Sequence, residues 1–253
     1  MKGGEGVQFQ DVFCRKEKKY MLSPAQYQHM RQGIMARNMM PDEFGLHTIA
    51  SLYYDTPEFY LINHSLEKPI YKEKLRLRAY GSQVLPDDTA YVEIKKKFKG
   101  IVYKRRIALP LPEAVDGLAK GQFSEDHGQI GREINWFLRR YDVRPACWLG
   151  YEREAFFSET EDVRITFDEN IRFRASGWDM TTPPQGQRLL QQDCYLMEVK
   201  VPFAIPLWLV QLMNECGAAS RSFSKYGTAY SQYLAHSPSI TCEERNPAHE
   251  CLL

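Results

Sequence analysis

The stretch that decides the fold is YKEKLRLRAY, residues Tyr71–Tyr80. Side chains alternate between the two faces of a β-strand, so Lys72, Lys74, Arg76 and Arg78 share one face and mostly apolar residues share the other. Like charges stacked along a sheet repel one another unless something anionic lies opposite. The pattern therefore predicts a strand with its apolar face on a core and its cationic face toward an anionic partner.

The same alternation recurs in at least five further stretches. In these stretches, the polar residues that share one strand face are Tyr91, Glu93, Lys95 and Lys97; Lys104 and Arg106; Tyr151 and Arg153; Arg164, Thr166 and Asp168; and Glu198 and Lys200. A single such strand is more often the solvated outer face of a sheet, since Lys and Arg are mostly surface residues. Repetition over six strands instead favours cations that line the inside of a closed barrel.

This mixture of side chains suits a phosphate chain. Arg forms forked contacts to phosphate oxygens and Lys supplies a mobile point charge. The interspersed carboxylates are suited to Mg²⁺ or Mn²⁺, which prefer oxygen ligands and bridge carboxylates to phosphates. The predicted ligand is long, linear and densely anionic.

Periodicity and breaker residues predict the other elements. Strands are expected at His47–Asp55, Ile70–Tyr80, Ala90–Lys97, Gly100–Leu109, Cys147–Phe157, Val163–Phe173 and Cys194–Val201, and helices from Ser23-Pro24, at Ile130–Tyr141 and at Pro206–Cys216. Many antiparallel strands with a few helices indicate an α+β fold, and a closed barrel is the natural arrangement. We expect a flexible N-terminus at 1–9, one domain at 10–235 and a loose C-terminal tail at 236–253.

Composition excludes several classes of protein. The 253 residues are 43% hydrophobic and 26% charged, which is typical of globular domains, and the formal charge of +1 argues against a broad nucleic-acid-binding face. No Cys or His spacing indicates a zinc site or a Cys–His catalytic pair. The most apolar stretch, Phe203–Met213, is too short to span a bilayer, and no signal peptide is evident, so we expect a soluble cytoplasmic protein.

A family resemblance rests on nine motifs in order along roughly residues 10 to 235. They are RKEKKY (15–20), SLYYDT (51–56), KLRLRAYG (74–81), VEIKKK (92–97), VYKRR (102–106), YEREAF (151–156), VRITFD (163–168), YLMEVKV (195–201) and SFSKYG (222–227). The chain resembles the VTC domain, the catalytic domain of polyphosphate polymerases within the triphosphate tunnel metalloenzyme (CYTH-like) superfamily. The resemblance implies a β-barrel tunnel lined with basic residues, flanked by helices, that binds a nucleoside triphosphate and passes growing polyphosphate through its lumen.

The resemblance, with the cationic columns, leads us to expect the following site residues. Catalytic roles fall to Arg76, Arg78, Lys95, Arg153 and Lys200; substrate binding to Lys19, Lys74, Lys104, Arg106, Arg164 and Lys225; and Mn²⁺ or Mg²⁺ binding to Glu198 and Glu17. Glu17 belongs to an incomplete form of the superfamily's ExExK signature. Some family members carry a Lys where this chain has Ser222, and Arg221 beside it is a possible substitute. The family's eukaryotic members add a phosphate-sensing domain and membrane helices, and we expect a standalone form without them.

Three functions remain open at this point. The first is transfer of the γ-phosphate of ATP to polyphosphate or pyrophosphate, which needs little covalent work from the protein. The second is hydrolysis of inorganic or nucleoside triphosphate, for which a more acidic lumen would be expected. The third is binding of polyphosphate without catalysis, which would not require a metal.

Overall fold

The computed structural model describes residues 12–13, 16–158, 160–190 and 193–236. The expected flexible N-terminus (1–9), and all of the expected C-terminal tail but its first residue, lie outside these ranges. The described strands are β1 (Val12–Phe13), β2 (Lys16–Leu22), β3 (Met40–Pro41), β4 (His47–Asp55), β5 (Tyr71–Tyr80), β6 (Thr89–Phe98), β7 (Ile101–Pro110), β8 (Arg144–Ser158), β9 (Val163–Arg174), β10 (Gln187–Arg188) and β11 (Tyr195–Val201). The described helices are α1 (Pro24–Met35), α2 (Tyr60–Leu66), α3 (Leu111–Lys120), α4 (Gly128–Arg140), α5 (Leu207–Glu215) and α6 (Lys225–Gln232), with short 3-10 turns at Glu125–His127 and Leu234–His236.

The strands form one sheet in which every pairing is antiparallel. Its order is β1-β7-β6-β5-β4-β8-β9-β11-β2, with β10 beside β9 and β3 beside β8. The two edge strands of this path, β1 and β2, follow one another in the chain. The sheet therefore curls until its two edges come close together near the N-terminus. The described pairings do not close a complete ring.

Helices α1, α3, α4 and α5 cover the apolar outer face of the curled sheet, whereas α2 and α6 pack against its inner face. On one side β5 and β6 pack on α3 and α4, through residues such as Leu77 and Phe137. On another side β9 and β11 pack on α1 and α5, through residues such as Val199 and Leu209. A third cluster joins α2 and α6 to residues such as Ile49 of β4 and Leu149 of β8, which share the strand face of Arg76 and Arg78. Burial of these side chains is the main stabilising contribution, and it leaves the polar part of the inner face free for function.

Local sequence explains where the first helix begins. The Ser23 side chain accepts from the Gln26 backbone N–H, and the Gln26 side chain accepts in return from the Ser23 backbone N–H. Pro24 occupies the first helical position, where the N–H that it lacks would have no intrahelical partner. These features confirm the predicted start.

The prediction of an α+β fold whose antiparallel strands form a tunnel flanked by helices is confirmed, but the expected closed barrel is not found: the described strand pairings leave a curled sheet that does not close. All seven predicted strands and three predicted helices are present, with ends shifted by at most three residues. The short strands β1, β3 and β10, the strand β2 and the helices α2, α3 and α6 were not predicted. Within the described ranges, no helix has the length and apolar character needed to cross a bilayer.

Candidate functional site

The predicted cationic columns lie on one continuous face of the sheet. Cα partners in adjacent antiparallel strands place their side chains on the same face. The polar-face pairs include Lys74–Lys95, Lys95–Lys104, Arg76–Glu93, Tyr53–Arg76, Arg153–Asp168, Thr166–Glu198, Glu198–Lys19 and Lys200–Glu17. Helices cover the other face, and Lys95 on β6 acts electrostatically on Glu17 on distant β2. This face is therefore the concave inside of the curl.

The first cluster on the concave face is built around Glu93, of which 1% is exposed. Arg76 donates to its Oε2 through Nε at 2.7 Å and lies 2.6 Å away through Nη2. The Lys104 Nζ lies 2.5 Å from Oε1, and the Arg78 Nε lies 3.8 Å from Oε2. Burial alone would raise the pKa of Glu93, but the three cations outweigh it and lower that pKa to about 2. Glu93 is therefore ionised and holds the Arg76 guanidinium in one orientation.

The second cluster is built around Asp168, which is fully buried on β9. Arg153 on β8 forms a bidentate pair with it, at 2.6 Å from Nε to Oδ1 and 2.8 Å from Nη2 to Oδ2. Lys225, the first residue of α6, donates to Oδ2. Burial opposes ionisation, but Arg153 and Lys225 hold the pKa of Asp168 below its ordinary value. This ion pair fixes the start of α6 against the tunnel wall.

The third cluster contains both predicted metal ligands. Glu198 lies 3.3 Å from the Lys19 Nζ and 3.5 Å from the Lys200 Nζ, and Glu17 lies 3.3 Å from the same Lys19 Nζ. Burial alone would raise the pKa of Glu198, but the lysines and Arg153 hold it well below its ordinary value. Both carboxylates are thus available as anionic oxygen ligands.

The Glu17 and Glu198 carboxylates suit a metal cation whose remaining coordination positions are filled by substrate oxygens. The Lys19 ammonium is itself a cation held between Glu17 and Glu198. The hydroxyl of Thr166, the Cα partner of Glu198, is buried without a hydrogen-bond partner in the described residues. No group of three or more acidic, His or Cys side chains in the described ranges could hold a metal ion. Two carboxylates nevertheless fit Mg²⁺ or Mn²⁺, which usually take one or two of them with phosphate oxygens and water.

Two lysines on the concave face have no carboxylate partner. Lys74 and Lys95 are Cα partners, and neither lies within ion-pair distance of a carboxylate among the described residues. The Lys74 Nζ donates only a long hydrogen bond, 3.5 Å, to the Ser224 hydroxyl at the start of α6. Burial and neighbouring cations lower the pKa of Lys74 to about 8, and burial first of all lowers that of Lys95. An anionic ligand would relieve this repulsion.

Two tyrosines also belong to the concave face, and the sequence did not identify them as site residues. The Tyr53 hydroxyl accepts from the Arg76 Nη1 at 3.0 Å, and the Tyr151 hydroxyl accepts from the Arg78 Nη2 at 3.3 Å. Burial would raise the pKa of Tyr53, but Arg76, Arg78 and Lys74 lower it to about 8. The SLYYDT alternation placed Tyr53 on one strand face; only the curl of the sheet shows that this face is the functional one.

Two predicted substrate-binding residues share the concave face but form no ion pair with the three clusters in the part of the chain that the structure describes. Arg106 is exposed and its guanidinium lies 4.7 Å from the centre of the Tyr91 ring. Arg164 lies 3.3 Å from Asp42, and about half of its side chain is exposed. The other predicted residues lie together on the concave face, and the roles assigned to all of the predicted residues stay predictions.

Comparison with known proteins agrees with this geometry. A family model described as the VTC domain matches residues 14–234. The vacuolar transporter chaperone complex subunit 4 of Trypanosoma brucei brucei is 26% identical over 234 residues. That match covers 76% of this chain but only 29% of the relative, so the chain spans less than a third of the relative's length.

One solved structure shares the fold at low sequence identity, and a second is similar at a lower score. A putative adenylate cyclase from Bacillus halodurans superimposes with a TM-score of 0.50 and 12% identity, covering 85% of this chain and 96% of the other. A putative adenylate cyclase from Vibrio parahaemolyticus gives a TM-score of 0.49 and 12% identity, with 87% and 98% covered. At this identity the Bacillus likeness concerns the fold alone, and it agrees with the curled antiparallel sheet.

Proposed function

Because this chain belongs to the VTC domain family, we propose that it is a polyphosphate polymerase that transfers the γ-phosphate of ATP to an inorganic polyphosphate or pyrophosphate acceptor. The tunnel fold and the family both favour chemistry on phosphate, by transfer or by hydrolysis. The observation that carries the proposal is the concave face. No carboxylate of the described residues pairs with Lys74 or Lys95 there, and the nearby carboxylates Glu17, Glu93, Asp168 and Glu198 are already paired with cations. Such a face is complementary to a chain of phosphates and to few other ligands.

The side chains would act by positioning and by charge stabilisation. Phosphoryl transfer requires the attacking and leaving oxygens to be in line, with positive charge around the equatorial oxygens. Glu93 and Tyr53 fix the Arg76 guanidinium, so little reorganisation is needed when phosphate binds. Lys74 and Lys95 would then neutralise the next phosphates along the chain.

Mn²⁺ or Mg²⁺ would be held by Glu198 and Glu17. When bound there it supplies Lewis-acid neutralisation of phosphate oxygens. Lys19, which contacts both carboxylates, would turn toward the phosphate instead. This keeps the charge of the cluster balanced.

The state of the carboxylates favours phosphate over water as the acceptor. A hydrolase gains from a base that takes a proton from the attacking water. Cations hold the pKa values of Glu93, Asp168 and Glu198 below their ordinary range, so these carboxylates are weak bases. An acceptor phosphate is already ionised at neutral pH and needs no such base.

The test is incubation of the purified protein with ATP, with and without Mn²⁺ or Mg²⁺, and separation of the products by size on a gel stained for polyanions. We expect a ladder of polyphosphate with matching ADP, only when metal is present. ADP with orthophosphate and no polymer would replace the proposal with a triphosphatase. Absence of turnover, together with binding of polyphosphate in the absence of metal, would leave a non-catalytic binding protein.

A further inference from the structure

A second pair of lysines lies outside the predicted site on the same strands. Lys72 and Lys97 are Cα partners on β5 and β6, one same-face step beyond Lys74 and Lys95. Successive same-face positions are separated by about 7 Å along a strand. The four lysines therefore form two successive cross-strand pairs, an inner rung (Lys74 and Lys95) and an outer rung (Lys72 and Lys97). The outer rung continues the concave face to the end of the sheet where β6 turns into β7.

The outer rung lies at an open rim of the sheet. Tyr71 and Phe98 form the last pair of β5 with β6, and both are exposed, as are Lys99 and Gly100 of the turn that follows. Beyond this turn the chain returns along β7. The ladder thus runs from the interior of the curl to solvent.

No carboxylate of the described residues lies within ion-pair distance of the outer rung. The Lys72 Nζ donates to the Ser65 carbonyl oxygen at 2.8 Å, at the end of α2. Burial, Lys97 and then Lys68 lower the pKa of Lys72, and no acidic group offsets them. Like charges on directly opposed strand positions are destabilising, so this arrangement has a cost in the free protein that a bound anion would offset.

We propose that Lys72 and Lys97 form an outer subsite through which a linear polyphosphate chain passes between the tunnel interior and solvent. The inference rests on the proposed function and identifies the mouth that the polymer uses. Arg76 and Lys72 are four residues apart on β5, about 13 Å. A triphosphate held at Arg76 contacts fewer of these positions than a long chain, which reaches Arg76 and both lysine pairs at once. The outer rung should therefore discriminate by chain length.

The experiment compares binding of tripolyphosphate and of long-chain polyphosphate by titration calorimetry. The test variant carries Lys72→Gln and Lys97→Gln. The matched control carries Lys16→Gln and Lys18→Gln, which remove the same charge from exposed lysines on the outer face of β2. We expect the ratio of long-chain to tripolyphosphate affinity to fall about tenfold in the test variant, from the loss of two partly exposed ionic contacts, and to be unchanged in the control. Lys72→Arg with Lys97→Arg should restore the ratio.

The outcomes separate this inference from the proposed function. An unchanged ratio in a folded test variant, with a wild type that binds long chains and makes polymer, overturns the outer subsite alone. A wild type that neither binds polyphosphate nor makes polymer overturns the proposed function first. Equal loss of affinity for a single-stranded oligonucleotide of similar length overturns the polyphosphate assignment in favour of a general polyanion site. If the double variant fails to fold, Lys97→Gln alone, at an exposed position, tests the same ratio.

Discussion

Replacing Asp168 by Asn tests whether the buried charge cluster holds the tunnel together. The substitution preserves the shape of the side chain but leaves Arg153 and Lys225 without their shared carboxylate. Removing one partner of a buried ion pair costs about 3–5 kcal/mol, because the remaining charge stays buried without compensation. For a chain of this length each kcal/mol shifts Tm by about 2–4 °C, so we expect Tm to fall by about 6–20 °C.

The matched control is Asp116→Asn. Asp116 forms an ion pair of 2.7 Å with Lys120 on the surface of α3, and half of its side chain is exposed. Exposed pairs of this kind contribute about 0–1 kcal/mol, so the same chemical change should scarcely alter Tm. Urea denaturation followed by circular dichroism gives the free energy of unfolding for both variants.

An added polyanion should rescue the Asp168 variant. With Asp168 removed, Arg153 and Lys225 become free to bind a phosphate chain, so tripolyphosphate should stabilise the variant more than the wild type. A ligand at a hundred times its Kd adds about 2.7 kcal/mol of stability. Two results would refute the reasoning: a destabilisation as small as that of Asp116→Asn, or equal stabilisation of variant and wild type by the ligand.

Three further predictions concern the same face. Arg78→Ala should lower kcat/KM for ATP by at least about 10²-fold while costing less than about 2 kcal/mol of unfolding free energy, because Arg78 donates to two hydroxyls at a long 3.3 Å and lies 3.8 Å from Glu93, which keeps its closer partners Arg76 and Lys104. Comparable losses in both quantities would instead indicate a structural role. Between about pH 5 and pH 7 stability should be constant, and it should fall steadily toward pH 2 in urea denaturation, since the pKa values of Glu93 and Asp168 are lowered in the folded state and their stabilisation is lost as they become protonated. A flat profile from about pH 7 to pH 2 would contradict those ion pairs. Affinity for polyphosphate should decline as pH rises through about 8, where Lys74 loses its proton. The variant Lys74→Arg should show that decline at higher pH. A variant whose pH profile matches that of the wild type would show that Lys74 does not bind the polymer.

Strand positions could be predicted from sequence because the period-two pattern is a local property. Helix α3 was not, because its start, Leu111-Pro112, follows Pro110 and resembles a turn, although Pro in the first turn also favours a helix start. Helix α2 depends on tertiary contacts: Asp55 on β4 accepts the N–H groups of Leu61 and Ile62 and the hydroxyl of Tyr226. Such a helix cannot be found from its own seven residues.

Helix α4 shows where an apolar stripe misleads. Its buried residues include Ile134 and Phe137, as the stripe predicts. Trp136 is a large aromatic residue next to the buried Phe137, yet 45% of it is exposed and the Arg140 guanidinium lies 5.0 Å from the centre of its ring. The Arg side chain substitutes for burial by covering one face of the indole. Local composition does not distinguish these two ways of accommodating a large aromatic side chain.

Site residues could be assigned to a strand face from sequence, but their partners could not. Glu93 and Asp168 were evident as single carboxylates in cationic columns, without any indication that each would be enclosed by cations. The Asp168–Lys225 contact joins residues 57 positions apart and exists only because α6 begins against the tunnel wall. Pairings of this kind depend on strand register and on how far the sheet curls, and neither is encoded locally.

The near-neutral total charge conceals a strongly asymmetric distribution. The three charged clusters and the Lys74–Lys95 pair together hold nine cations against four carboxylates. The cations are Lys19, Lys74, Arg76, Arg78, Lys95, Lys104, Arg153, Lys200 and Lys225, and the carboxylates are Glu17, Glu93, Asp168 and Glu198. That is an excess of five positive charges in a chain with a formal charge of +1, so the remaining residues carry about four net negative charges. The low-dielectric protein walls concentrate the positive electrostatic potential of these cations inside the curl, whereas the acidic exterior repels other polyanions. The protein thereby favours an anion that can enter the tunnel end-on, and a narrow, flexible phosphate chain meets that requirement better than a nucleic acid duplex does.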